Sequence, residues 1–208
     1  MSPSSEATHA ERRIQTTALI SVAVAAAVMA IKYLAYWVTG SVALYSDALE
    51  SIANILTAIA ALVAVRVSAA PADREHPFGH HKAEYFAAVL EGVLIVVAAL
   101  LVLDAALGAI WAPKPLDQPA LGLAINMCAG AINAGWAWWL ITRGKAWRSP
   151  ALAADGWHLL SDVVTSVGVV AGLILATLTG WLILDPLLAA AVAFHILWSG
   201  QRIVRQSL

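Results

Sequence analysis

Charge is what this sequence has least of. Of 208 residues, 12% are Asp, Glu, Lys or Arg, where a soluble domain carries about 25%. The formal net charge is −1, so no excess of basic residues points to nucleic acid. Cysteine occurs once, as Cys128. A lone Cys excludes an internal disulfide and a thiolate-rich metal centre, and its apolar surroundings mark it as a small core residue. There is no sustained period-two alternation, which excludes a membrane β-barrel. A signal-peptide cleavage pattern is also missing from the polar opening MSPSSEATHAERRIQ.

What fills the chain is hydrophobic sequence, at 61%. Six apolar segments run over 16–38, 42–66, 83–112, 120–142, 151–177 and 180–201. Each approaches or exceeds the roughly 20 residues a helix needs to cross a hydrocarbon core. The expected fold is an all-α polytopic membrane protein with six transmembrane helices. Residues 1–15 read as a cytoplasmic tail and 16–208 as one transmembrane domain. Arg12, Arg13, Arg66, Arg74, Lys82, Arg143, Lys145, Arg148, Arg202 and Arg205 fall on one side of this topology, against Lys114 on the other. That asymmetry places both termini in the cytoplasm, and a bacterial inner membrane is the expected location. Trp37, Trp111, Trp147 and Trp181 near segment ends fit an aromatic belt.

Ionisable residues at membrane depth are costly and face the bundle interior. Lys32, Asp104 and Asp185 stand alone on their spans and read as helix-packing or interfacial groups, as do Glu91 and His195. Two clusters do not stand alone. Span 2 contains SDALESIAN, with Asp47, Glu50 and Asn54. Span 5 contains ADGWHLLSD, with Asp155, His158 and Asp162. Both use the spacing i, i+3, i+7, which puts three side chains on one helical face. The shared pattern suggests two three-helix repeats of opposite orientation, a device that builds transporter sites. Glu50 with Asn54, and His158 with Asp162, are pairs one turn apart. Together they offer one imidazole, two carboxylates and an amide oxygen, a set that suits a four-coordinate divalent ion such as Zn²⁺. The competing structural reading is an interhelical hydrogen-bond network. After span 2, PADREHPFGHHKAE gathers Asp73, His76, His80 and His81, a second set with zinc-ligand chemistry.

These motifs carry a resemblance. TGSVAL with SDALES, HPFGHHKAE and ADGWHLLSD, in that order on six spans, resemble the cation diffusion facilitator family of metal/proton antiporters. The likeness covers essentially the whole chain, in a short form lacking the family's C-terminal cytoplasmic domain. It implies a central transport site at Glu50, Asn54, His158 and Asp162 and a cytoplasmic loop site at Asp73, His76 and His80. Asp47 and Asp155 then fall in supporting positions beside the ligands. Asp47 also stands as the alternative to Asn54 for the fourth ligand. The implied function is export of Zn²⁺ or Cd²⁺ in exchange for protons by a homodimer. Span 3, with Ala87, Ala98, Ala99 and Ala105, is the expected interface. Zinc-carrying members usually have His or Asp, then Asp, where this chain has Glu50 and Asn54, which brings the harder ions Fe²⁺ and Mn²⁺ into contention. The family's His-rich loop between spans 4 and 5 is replaced by RGKAWRSP. A membrane-embedded metalloenzyme or a non-transporting metal sensor are the rivals from other classes. Metal binding would require neutral His158 and ionised Glu50 and Asp162, so it would expel protons, and imidazole is the group that ordinarily titrates nearest neutral pH.

Overall fold

The computed structural model describes residues 3–68, 82–147 and 149–207. They form six helices: α1 (Pro3–Thr39), α2 (Val42–Ser68), α3 (Lys82–Trp111), α4 (Pro119–Ala146), α5 (Pro150–Thr179) and α6 (Leu184–Ser207). No strand occurs among the described residues. The ends obey local chemistry. Ser149 accepts from the Leu152 N–H and Pro150 occupies the first turn of α5, where a missing N–H costs nothing. At the other end Gly180 adopts φ 71°, the left-handed conformation that closes a helix and that a side chain resists.

Among the described residues, four helices contain stretches long and apolar enough to cross a membrane: Leu19–Thr39, Gly92–Trp111, Pro119–Ala146 and Asp155–Thr179. Leu184–Trp198 is a shorter apolar stretch, and α2, which carries Asp47, Glu50 and Asn54, is not among the four. The outer surface is unlike that of a soluble protein. Val93, Val97, Leu100, Val164, Val167 and Leu178 are exposed, and Trp111 is 87% exposed at the end of its helix. Lys32, Asp47, Asn126 and Ser166 are buried. An apolar exterior around an interior that holds charged and polar groups among apolar ones is stable when the surrounding solvent is lipid. The chain is an all-α polytopic membrane protein.

Small residues set the packing. α4 runs closely along α5, and α3 along α6, while α2 lies between α1, α3 and α6 and touches α5 only briefly. On α4, Gly122, Asn126, Ala129, Asn133, Ala137 and Gly144 recur every three or four positions and are buried as one stripe. A Cβ at Gly144 would lie 2.6 Å from the Ala153 nitrogen, and one at Gly156 would lie 2.9 Å from the Ala137 carbonyl oxygen. The two backbones approach so closely because those positions lack side chains.

Two sequence expectations are corrected here. Cys128 is exposed, not in the core. It falls between Asn126 and Ala129 in sequence, but the helical period turns it off the buried stripe. Ala98 and Ala99 on α3 are buried within the chain, so they are not free to face a second copy. The exposed face of α3 consists instead of larger residues such as Val93, Val97, Leu100 and Leu101.

Candidate metal centre

α2 and α5 bring the two acidic clusters together at their short crossing. The Asn54 Nδ2 donates to Asp162 Oδ2 at 2.9 Å. Further along, the Ser166 hydroxyl donates to Asp47 Oδ1 at 2.8 Å. Rising numbers on α2 therefore meet falling numbers on α5, and the helices cross antiparallel. Asp162 is 8% exposed. Glu50 and Asn54 are half-buried, and Glu50 lies within electrostatic range of both Asp162 and Asp47.

His158 is placed differently. It is exposed, although it lies within electrostatic range of Asp162. It sits four residues before Asp162 on α5, about 6 Å along the axis, on the side away from Asp47. Asp155 lies further along in the same direction and is half-buried. The antiparallel crossing thus sends the two ends of the matched patterns apart, with Asp47 beyond one end of the cluster and Asp155 beyond the other. Among the described residues, no three His, Cys, Asp or Glu side chains come close enough together to hold a metal ion. Glu50, Asn54 and Asp162 are gathered around one crossing, and His158 stands a turn away. Asp73, His76 and His80 of the expected loop site lie outside the described residues, as does the side chain of Glu91. Asp104 and His195 are exposed on α3 and α6.

The structure supplies partners that sequence spacing did not. Lys32 of α1 reaches Asp47 Oδ1 at 2.8 Å and donates to the Ser166 hydroxyl at 2.9 Å. Both charged residues are 1% exposed. Asp47 therefore ties α1, α2 and α5 at one point, and its other carboxylate oxygen is buried with no protein donor. Lys32 reads in sequence as a solitary helix-packing residue, and only the helix arrangement reveals its partner. The one available signal was its cost: a cation so deep in an apolar span must have an anion. Asp185, also solitary in sequence, crosses from α6 to the start of α2. It accepts from the Ser41 hydroxyl and from the N–H groups of Val42, at 2.8 Å, and Ala43, at 3.2 Å. These are the donors a helix start leaves unpaired, so a carboxylate from another helix caps α2.

A lipid-facing bundle with carboxylates, an amide and an ion pair at its centre defines a class: polytopic membrane proteins that handle ions in their interior. Comparison with known proteins is more specific. Residues 18–208 match the model of the cation efflux transmembrane domain. The chain is 50% identical over 191 residues to an uncharacterized transporter, sll1263, of Synechocystis sp., covering 92% of this chain and 62% of that protein. It is 32% identical over 194 residues to the cation-efflux pump FieF of Salmonella paratyphi A and of Salmonella agona, covering 92% of this chain and 63% of each. The chain belongs to the cation efflux family, whose members are transporters and not enzymes. It spans less than two thirds of the length of these relatives.

Proposed function

We propose that the chain moves a divalent metal cation out of the cytoplasm in exchange for protons, with Zn²⁺ or Cd²⁺ as substrate. The observation that carries this reading is the meeting of Asn54 with Asp162 across α2 and α5 at 2.9 Å, with Glu50 in electrostatic range. Two carboxylates converging inside an apolar bundle need a cation or protons to neutralise them. A divalent ion and a pair of protons are interchangeable in that role, which is the basis of exchange. Glu50, Asn54, His158 and Asp162 are the proposed ligands. His158 would join the others through a small movement of α5 against α2, whose brief contact leaves them little to break. The neutral oxygen of Asn54 favours a harder ion, so Fe²⁺ and Mn²⁺ are the second choice of substrate.

Asp73, His76 and His80 form the proposed auxiliary site on the cytoplasmic side. Both termini are assigned to the cytoplasm on the distribution of Arg and Lys, in a bacterial inner membrane. A homodimer is proposed, with the exposed apolar face of α3 as its contact. The test is uptake of Zn²⁺, Cd²⁺, Fe²⁺ and Mn²⁺, one at a time, into proteoliposomes holding a set pH gradient. Metal accumulation that drives protons the opposite way is expected. Metal binding without flux in every case would replace the transporter by a metal sensor. Replacing Asp73, His76 and His80 together by Ala is expected to slow uptake severalfold while leaving it measurable, and complete loss of flux would make the loop site obligatory.

A further inference from the structure

We propose that Lys32 sets the electrical charge of the central site through Asp47, so that the site balances one divalent ion. The inference rests on the transporter reading. Three carboxylates lie along the α2–α5 crossing, those of Asp47, Glu50 and Asp162, and three negative charges exceed what one divalent ion neutralises. The Lys32 ammonium, 2.8 Å from Asp47 and buried with it, cancels one of them. Ser166 completes a closed triangle, accepting from Lys32 at 2.9 Å and donating to Asp47 at 2.8 Å.

The location makes this pair more than a weld between helices. Asp47 is three residues before Glu50 on α2, and Ser166 is four residues after Asp162 on α5. The pair is therefore wedged one turn from both carboxylates of the proposed site, and the charges of Lys32 and Asp47 reach Glu50 and Asp162 alike. In a poorly screened interior such charges act over several ångströms with little loss. Asp47 is then a counter-ion for Lys32 and not a metal ligand. An unpaired Lys32 would repel the incoming ion, and an unpaired Asp47 would hold it too tightly to release.

The two roles for Asp47 give opposite results in a double-mutant comparison. The full chain in nanodiscs is titrated with Zn²⁺ and, separately, Cd²⁺ by calorimetry, and thermal unfolding is recorded for each variant. Asp47→Asn leaves the ammonium uncompensated and should weaken binding by at least roughly tenfold, from the repulsion of a unit charge on a divalent ion. Lys32→Met together with Asp47→Asn removes both charges and should return affinity to within about threefold of wild type. Replacing a buried ion pair by neutral groups together is tolerated far better than breaking it. Affinity in the double variant that stays tenfold down makes Asp47 a ligand and overturns the proposal. So does Asp47→Asn that binds like wild type. If Asp47→Asn does not fold, the double variant decides by the same thresholds, since it carries no unpaired charge. Wild-type protein that binds neither metal turns the same comparison to Fe²⁺ and Mn²⁺, and wild-type protein that binds none of the four removes the transporter reading itself, and this inference with it, before any variant is compared.

Discussion

Asp47 on α2 and Asp155 on α5 occupy the same position in two matching sequence patterns, each three residues before a proposed ligand. Asp47 is 1% exposed, paired with Lys32 and held by Ser166. Asp155 is half-buried at the other side of the cluster. The next members diverge in the same way: Glu50 is half-buried near two other carboxylates, while His158 is exposed. The difference follows from the antiparallel crossing. A periodic pattern fixes which side of its own helix a residue occupies. It does not fix which neighbour it meets, because running the second helix in reverse sends its first residue to the opposite end. One cluster is therefore anchored to α1, and the other is open at the His158 end.

The largest effect that would sharpen this contrast is at Asp162. Asp162→Ala removes the partner of Asn54 and a buried carboxylate. It should lower metal flux at least roughly a hundredfold, about 2.7 kcal/mol in activation terms. His158→Ala should do the same, whereas Asp155→Ala, a further turn away, should leave flux within severalfold of wild type. Proteoliposome uptake measures all three. Near-normal flux in Asp162→Ala or His158→Ala removes the assignment of the centre to these residues. Equal losses in Asp155→Ala and His158→Ala would extend the centre along α5.

The faces of α2 and α5 were legible in sequence because i, i+3, i+7 spacing is a local property. So was the all-helical membrane fold, since an apolar run near 20 residues has few other uses. The partners of Lys32 and Asp185 were not legible. Each depends on contacts more than 100 residues apart or on the order in which helices pack, and neither leaves a trace in spacing. The burial of Ala98 and Ala99 was missed for a similar reason: small residues mark close approach, but not whether the approaching helix belongs to the same chain.

The two helices are also fixed at their starts by unlike means. The N–H groups at the start of α2 are capped by Asp185 from α6, whereas α5 is capped by its own Ser149. Asp185→Ala should therefore destabilise the bundle by about 2 kcal/mol, since it uncaps α2 and unties it from α6. Ser149→Ala should cost about 1 kcal/mol and act on α5 alone. Unfolding in mild detergent, followed by circular dichroism, compares them. A Ser149→Ala loss equal to or larger than that of Asp185→Ala would show that the α2–α6 link contributes little.

The smallest effect concerns Asn54, the one neutral member of the four proposed ligands. Its amide donates to Asp162 at 2.9 Å, so the pair holds a single carboxyl group and no like-charge repulsion. Asn54→Asp puts two carboxylates at that separation, and like charges so close do not both ionise. The metal-free variant then keeps one proton between them, and an arriving ion has to displace it. By linkage, each extra proton released adds up to about one power of ten in affinity per pH unit. The variant should still transport, should favour Zn²⁺ more strongly, and should gain more than wild type as pH rises. Asn54→Ala, which brings neither oxygen nor charge, should weaken binding without steepening the pH profile, because water can enter the gap. Uptake rate against pH for the three proteins separates these cases. An unchanged profile and metal preference in Asn54→Asp would place residue 54 outside the coordination sphere. Asp47 would then be the next fourth ligand, and its pairing with Lys32 would have to open when metal binds.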